Sequence, residues 1–192
     1  MNEILRLLHN LIRIGVVTDV DLARMVARVE TGGLKTDWIR WGANRAGDAV
    51  TWWSPSVGEA VVIMAPGGDL ATAVIITSLY SSVHPAPSTK PKHNIVTYPD
   101  GAVTEYDASI GALKVTGVKT VIVQAAATIT LDTPEVICTQ HLIAKTFSFT
   151  DGGEIRGNVD HAGGALSSNG VVVHTHQHSG VIGGSDNTGG PL

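Results

Sequence analysis

Three histidines at alternating positions, in Val173-His174-Thr175-His176-Gln177-His178-Ser179-Gly180, are the residues best suited to chemistry. In an extended strand the side chains at i, i+2 and i+4 project to one face. His174, His176 and His178 are therefore expected to share a direction and to offer neutral imidazole nitrogens to a metal. Asp186 is the sole formally charged side chain between His161 and Leu192. A metallo-hydrolase needs an Asp-His pair, further ligands and an acidic base, and Gln177-His178-Ser179 supplies none of these. A solvated strand that happens to be rich in histidine is the plain alternative, and the run is short for an affinity tag. An interchain site on a symmetry axis is the remaining reading. Two histidines from each of three chains would give six nitrogens, an octahedral set suited to iron rather than to tetrahedral zinc.

A second set of candidates is acidic: Asp132, Glu135, Asp151, Glu154 and Asp160. Paired carboxylates cleave glycosidic bonds in polysaccharide-degrading tailspikes. Here they adjoin Thr133-Pro134 and Gly152-Gly153, where aspartate commonly serves local turn hydrogen bonds, and the turn reading is preferred. A calcium ion could use such carboxylates, but no motif places its site. Cys138 is expected to be a buried small apolar residue. As the single cysteine, it excludes an internal disulfide framework.

Composition narrows the function classes. Of 192 residues 16% are charged, below the roughly 25% usual for soluble domains. Net charge is −4, without the basic surplus through which nucleic-acid binders release counterions. The apolar run Ala60–Ala65 is far short of the roughly 18 residues of a membrane helix. Arg6, His9 and Arg13 interrupt what would be the apolar centre of a signal peptide.

The elements that must position the histidines follow from periodicity. Residues 1–14 read as an N-terminal helix segment, with Ile4, Leu5, Leu7, Leu8, Leu11 and Ile12 striped over 3–13 and Asn2 as N-cap. Such a short helix is marginal alone, so its stripe is expected to pack on the domain or on another subunit. Residues 15–83 show short strands separated by Thr31-Gly32-Gly33 and Pro66-Gly67-Gly68-Asp69. About five strands suit a small antiparallel barrel of the OB type. OB barrels bind single-stranded nucleic acid through aromatics in a basic groove, and the charge for that is missing, so a protein-contact or structural barrel is preferred. Pro85, Pro87 and Pro91 mark a linker over 84–94. Beyond it, Val121, Val123, Ala125, Ala127, Ile129 and Leu131 alternate with period two. Stretches at 112–118 and 136–149 are similar, and glycines between 152 and 170 recur at the spacing of β-solenoid corners. Residues 94–192 carry too few large side chains for a thick core of their own. A thin core shared by several identical chains resolves the shortage and pairs the strand edges.

Several segments together resemble baseplate assembly protein V (gpV), the central spike of contractile-tailed phages, and the related spikes of contractile bacteriocins. They are Glu30-Thr31-Gly32-Gly33 with Thr36-Asp37-Trp38, Trp52-Trp53-Ser54-Pro55-Ser56-Val57-Gly58-Glu59, Pro99-Asp100-Gly101-Ala102-Val103, Leu131-Asp132-Thr133-Pro134-Glu135-Val136 and the closing His-x-His run. The resemblance spans essentially the whole chain. It implies a mainly β homotrimer: an OB-fold barrel that seats on the tail hub and baseplate proteins, then an intertwined trimeric β-helix over 95–170 with a metal-capped tip over 171–192. It also implies one iron per trimer, held by His176 and His178 of each chain with His174 in reserve. The implied role is structural, not enzymatic: a virion component of the tail baseplate, assembled in the host cytoplasm, that pierces the host outer membrane when the sheath contracts. A polysaccharide-degrading tailspike and an OB-type binding module are the alternatives.

Overall fold

The computed structural model describes residues 3–177 together with 180 and 184. Asn2, expected as a helix cap, and His178 lie outside the described residues. Two compact units are present, Met1–Ala127 and Thr128–Leu192.

The N-terminal unit opens with α1, Glu3–Asn10, followed directly by β1, Ile12–Asp21. The helix thus ends short of residue 13, and the strand begins before residue 15. The reason is local: β-branched Ile12, Ile14, Val16 and Val17 favour a strand, and Ile12–Val16 pairs antiparallel with Ala60–Met64. The remaining barrel strands are β2 (Val26–Thr31), β3 (Leu34–Lys35), β4 (Ile39–Trp41), β5 (Ala60–Met64) and β6 (Val74–Leu79). Their order, β1-β5-β6-β4-β2 with β1 also paired to β2, closes a five-stranded ring, and β3 hangs on β2. β4 and β6 run parallel, whereas the other pairs in the ring are antiparallel. The barrel expected from the strand count is present. Its core is Val17, Ala27, Val29, Ile39, Val61, Ile63, Ala65, Ala73 and Ile75.

Closure explains two of the recurring segments. Val16 pairs with both Ala60 and Glu30, so β1 turns from β5 to β2 beside Gly15. A Cβ at Gly15 would collide with Val29 and the Glu30 carbonyl. Thr31 is buried and donates from Oγ1 to the Ile14 carbonyl at 2.7 Å. Arg13 donates from Nε to Thr31 Oγ1 at 3.1 Å and from Nη1 to Asn10 Oδ1 at 2.9 Å, tying the helix end to the barrel. Thr36 Oγ1 accepts the Val29 N–H at 3.0 Å. Asp37 Oδ1 accepts the Trp38 N–H at 2.8 Å, and the Trp38 ring lies under the Arg28 and Arg24 guanidinium groups, 4.9 and 5.4 Å from its centroid. The Thr-Gly-Gly and Thr-Asp-Trp segments are barrel architecture.

The loop from β5 to β6, where Pro66-Gly67-Gly68-Asp69 separates the strands, is two 3-10 turns, Pro66–Gly68 and Leu70–Thr72. Asp69 joins them and accepts the Ala71 N–H at 3.0 Å. Gly68 is buried, with φ +73°, and a Cβ there would strike the Leu7 backbone. Helix α1 therefore rests on this loop backbone to backbone.

β7 (His93–Thr97), β8 (Val103–Asp107) and β9 (Ala112–Thr116) form an antiparallel meander. In its first turn Tyr98 N–H donates to the Ala102 carbonyl at 2.8 Å, and Gly101 takes φ +87°, which accounts for the Pro-Asp-Gly-Ala-Val segment. Trp53 stacks on Tyr98 at 6.0 Å and 16°. That contact joins the meander to the barrel, so the compact unit runs past the proline-rich 84–94 segment to Ala127.

The second unit contains one short hairpin among its described residues, β10 (Ser167–Ser168) with β11 (Val171–Val172). Asn169 and Gly170, at φ +48° and +81°, make its turn. The alternation over 121–131 and the stretch 136–149 form no strand within the chain. A strand needs a neighbour in register, and the described residues offer these segments none.

Gly68 and Gly33 both have positive φ, but only Gly68 faces another backbone. Gly33→Ala is expected to cost about 1 kcal/mol through backbone strain, and Gly68→Ala about 1–3 kcal/mol more through overpacking. Urea unfolding followed by tryptophan fluorescence reads this, since all four tryptophans lie in the first 53 residues. Equal losses would contradict the packing of α1.

Five carboxylates of this unit are held below their ordinary range, the first being Glu3, which Arg6 hydrogen-bonds. Lys35 and then Thr18 hydrogen-bond Asp19; the Trp38 N–H and then Arg28 hold Asp37. Lys114 and then His93 hold Glu105, and the Ser109 hydroxyl and N–H hold Asp107. A lowered folded pKa means that the unfolded chain binds more protons, so this stabilisation is present above the ordinary carboxylate values of 3.8 and 4.5 and is lost as pH falls through the folded ones. The urea midpoint should be flat down to that range and decline below it; a midpoint that rises on acidification contradicts these pairings.

Candidate functional site

Residues 118–165 begin directly after the meander. Among the described residues, none in this span makes a backbone–backbone hydrogen bond. Buried or not, each peptide group requires a partner or water. The side chains compound the demand. Ile122 and Ile143 are 83% and 85% exposed, and Leu142, Phe147 and Phe149 are exposed as well. Phe147 and Phe149 touch one another at 5.3 Å. Exposed apolar surface on this scale marks an interaction face. Cys138, expected to be buried, is exposed, for nothing else in its own chain covers this segment.

The acidic candidates sit in local contacts. Thr133 Oγ1 donates to the Glu135 carbonyl at 3.2 Å. Glu154 is gripped by Arg156, with Nε and Nη2 at 2.8 and 3.1 Å from its two oxygens. Asp132, Asp151 and Asp160 are exposed. Turn and surface roles account for these groups.

The histidines follow the β10–β11 hairpin. Val173 N–H donates to the Leu166 carbonyl at 2.9 Å, extending the ladder, and Thr175 N–H then donates to the Val172 carbonyl at 3.3 Å. That second bond makes 173–175 a turn rather than the extended strand expected. The alternation that would put His174 and His176 on one face is consequently absent from the chain. His174 lines an open cavity of about 330 Å³ with His161, Gly163, Gly164, Leu166 and Val173. Sequence reading missed His161, which has no spacing signal linking it to the cluster; the hairpin brings it there. His176 Nδ1 lies 2.7 Å from the Val173 carbonyl. A carbonyl only accepts, so Nδ1 carries the proton and Nε2 is the acceptor nitrogen of the ring. Metal-bound histidines characteristically donate their other N–H to a backbone carbonyl in this way. His178 lies outside the described residues. Within one chain the described residues bring no three His, Cys, Asp or Glu side chains together in a form that could hold a metal ion, and none of their helices is long and apolar enough to cross a membrane.

Comparison with known proteins places both units. Residues 13–80 match the family described as the Type VI secretion system/phage-baseplate injector OB domain. Residues 117–169 match the family described as the phage spike trimer, and this interval takes in the whole span without backbone pairing. The chain is 46% identical over 207 aligned positions to the spike protein of Escherichia phage P2, covering 100% of this chain and 97% of that protein. Closed barrel, unpaired apolar C-terminal segment and full-length identity agree: the chain belongs to the family of phage baseplate spike proteins of the gpV type.

Proposed function

We propose that three copies of this chain form the central spike of a contractile tail, in which residues 95–170 intertwine as a trimeric β-helix and the tip pierces the host outer membrane. The observation that carries the reading is the span 118–165: it has alternating apolar side chains and unused backbone groups, and it coincides with the spike-trimer match. Two further copies would supply both needs, pairing the backbone groups across chains and burying the aliphatic side chains around a shared axis. The work is mechanical. Strands bonded around an axis resist unravelling because many hydrogen bonds must break together, and a tip with almost no charge sheds water at little cost. The barrel is the part suited to seat on the hub and baseplate proteins.

At the tip, His176 and His178 of each chain would hold one iron per trimer. In a neutral ring, the contact of His176 Nδ1 with the Val173 carbonyl would make Nε2 the nitrogen that meets the metal. The ion supplies a cross-link between chain ends that would otherwise fray. His174, which lines a cavity with His161, would sit one layer back in reserve.

Sedimentation of the purified protein should give a trimer, and elemental analysis about one iron for every three chains. His176→Ala with His178→Ala should remove the metal and leave the trimer; iron retained in that variant would move the site to His174. Ile143→Glu, which sets three like charges against a shared apolar core, should prevent trimer formation. A trimer that forms normally in the Ile143→Glu variant would refute the shared core.

A further inference from the structure

The barrel wall made of β5 and of residues 12–16 of β1 is apolar on its outer face. Val17, Val61 and Ile63 point inward and are core. On the opposite face the register sets Ile12 against Met64, Ile14 against Val62 and Val16 against Ala60. Ile12 and Ile14 are 65% and 64% exposed, and Val16 and Met64 are exposed too. β6 extends this face with Leu79, opposite Ala60; polar surface begins at Glu30, opposite Val16 on β2. An antiparallel strand with one wet face alternates apolar with polar residues, whereas strands apolar on both sides are found where both are covered. Ala-Val-Val-Ile-Met in β5 is of the second kind. Ala65 N–H donates to the Leu11 carbonyl at 2.9 Å, so α1 leads into the end of this wall. Ile4, Leu5 and Leu8 of that helix are also exposed.

We infer that the outer face of β1 and β5 is covered by the same face of neighbouring copies, so that the barrels of an assembled spike contact one another through Ile12, Ile14, Val16 and Met64. This rests on the trimer reading. Two features select a second copy as the occupant. Where three equivalent faces line a three-fold axis, the residues nearest the axis approach their own equivalents and like charges there would repel; the pairs Ile12–Met64, Ile14–Val62 and Val16–Ala60 carry none. Three barrels joined to one C-terminal assembly are also held at roughly millimolar effective concentration, enough for a modest apolar face to close. The face is uncharged and aliphatic, as in permanent rather than transient interfaces.

The test uses the full-length chain with Cys138→Ser, to which Ile14→Cys or Leu22→Cys is added. Leu22 is exposed and lies beyond the end of β1, off the wall. In protein confirmed as a trimer by sedimentation, a maleimide reagent should modify the thiol of the Ile14→Cys variant at least about tenfold more slowly than that of the Leu22→Cys variant, and both at similar rates after unfolding. Equal rates in the native trimer overturn the inference and leave the wall to a hub protein, while the trimer reading stands. A monomer in sedimentation would instead remove the trimer reading, and this interface with it.

Discussion

Backbone groups and aliphatic side chains impose the same demand on residues 118–165, and their own chain meets neither. None of these peptide groups bonds to another backbone group among the described residues, while Ile122, Ile143, Phe147 and others stand in water. Apolar burial is worth about 25 cal/mol per Å², and ordering a residue costs about 1–2 kcal/mol in backbone entropy. A segment that buries nothing has no means of offsetting that entropy. The proposed trimer would supply that burial, and the short hairpin at Ser167–Val172 is too small to replace it.

The barrel presents the opposite case. It closes on itself, and its core of small and β-branched residues is complete within one copy. The devices that close it are modest: a glycine where β1 changes partner, a buried threonine shared by Arg13 and Ile14, and an aspartate-tryptophan pair under two arginines. On the proposed reading, a unit whose core closes within one copy precedes one that needs neighbours, which would suit a part seated at one end and rigid at the other. The apolar outer wall of β1 and β5 qualifies this division, because it gives the barrel, too, a surface in want of a neighbour.

Much of this was legible in the residues. The short strands of residues 15–83 and the Thr-Gly-Gly turn follow from local rules, and they are found. The helix end was misplaced because Leu11 and Ile12 continue the helical stripe while also beginning a strand, and pairing with Met64 decided between them. The proline-rich stretch looked like a domain boundary, yet Trp53 on Tyr98 carries the compact unit beyond it. His161 was invisible because a hairpin, not a spacing, sets it beside His174.

The sequence by itself determined the class: a low-charge, mainly β chain with a small barrel, an alternating apolar segment and a histidine-rich end. These are properties of local propensity and period, which each residue carries wherever it is placed. Tertiary structure alone decided which strands close the ring, that α1 lies on Gly68, that residues 12–16 and β5 share an apolar outer face, and that His176 Nδ1 meets the Val173 carbonyl. Each of these depends on contacts between residues far apart in the chain or on a turn whose path the period does not encode. A pattern tells a side chain to be buried, but only the folded arrangement shows whether its own chain can do so.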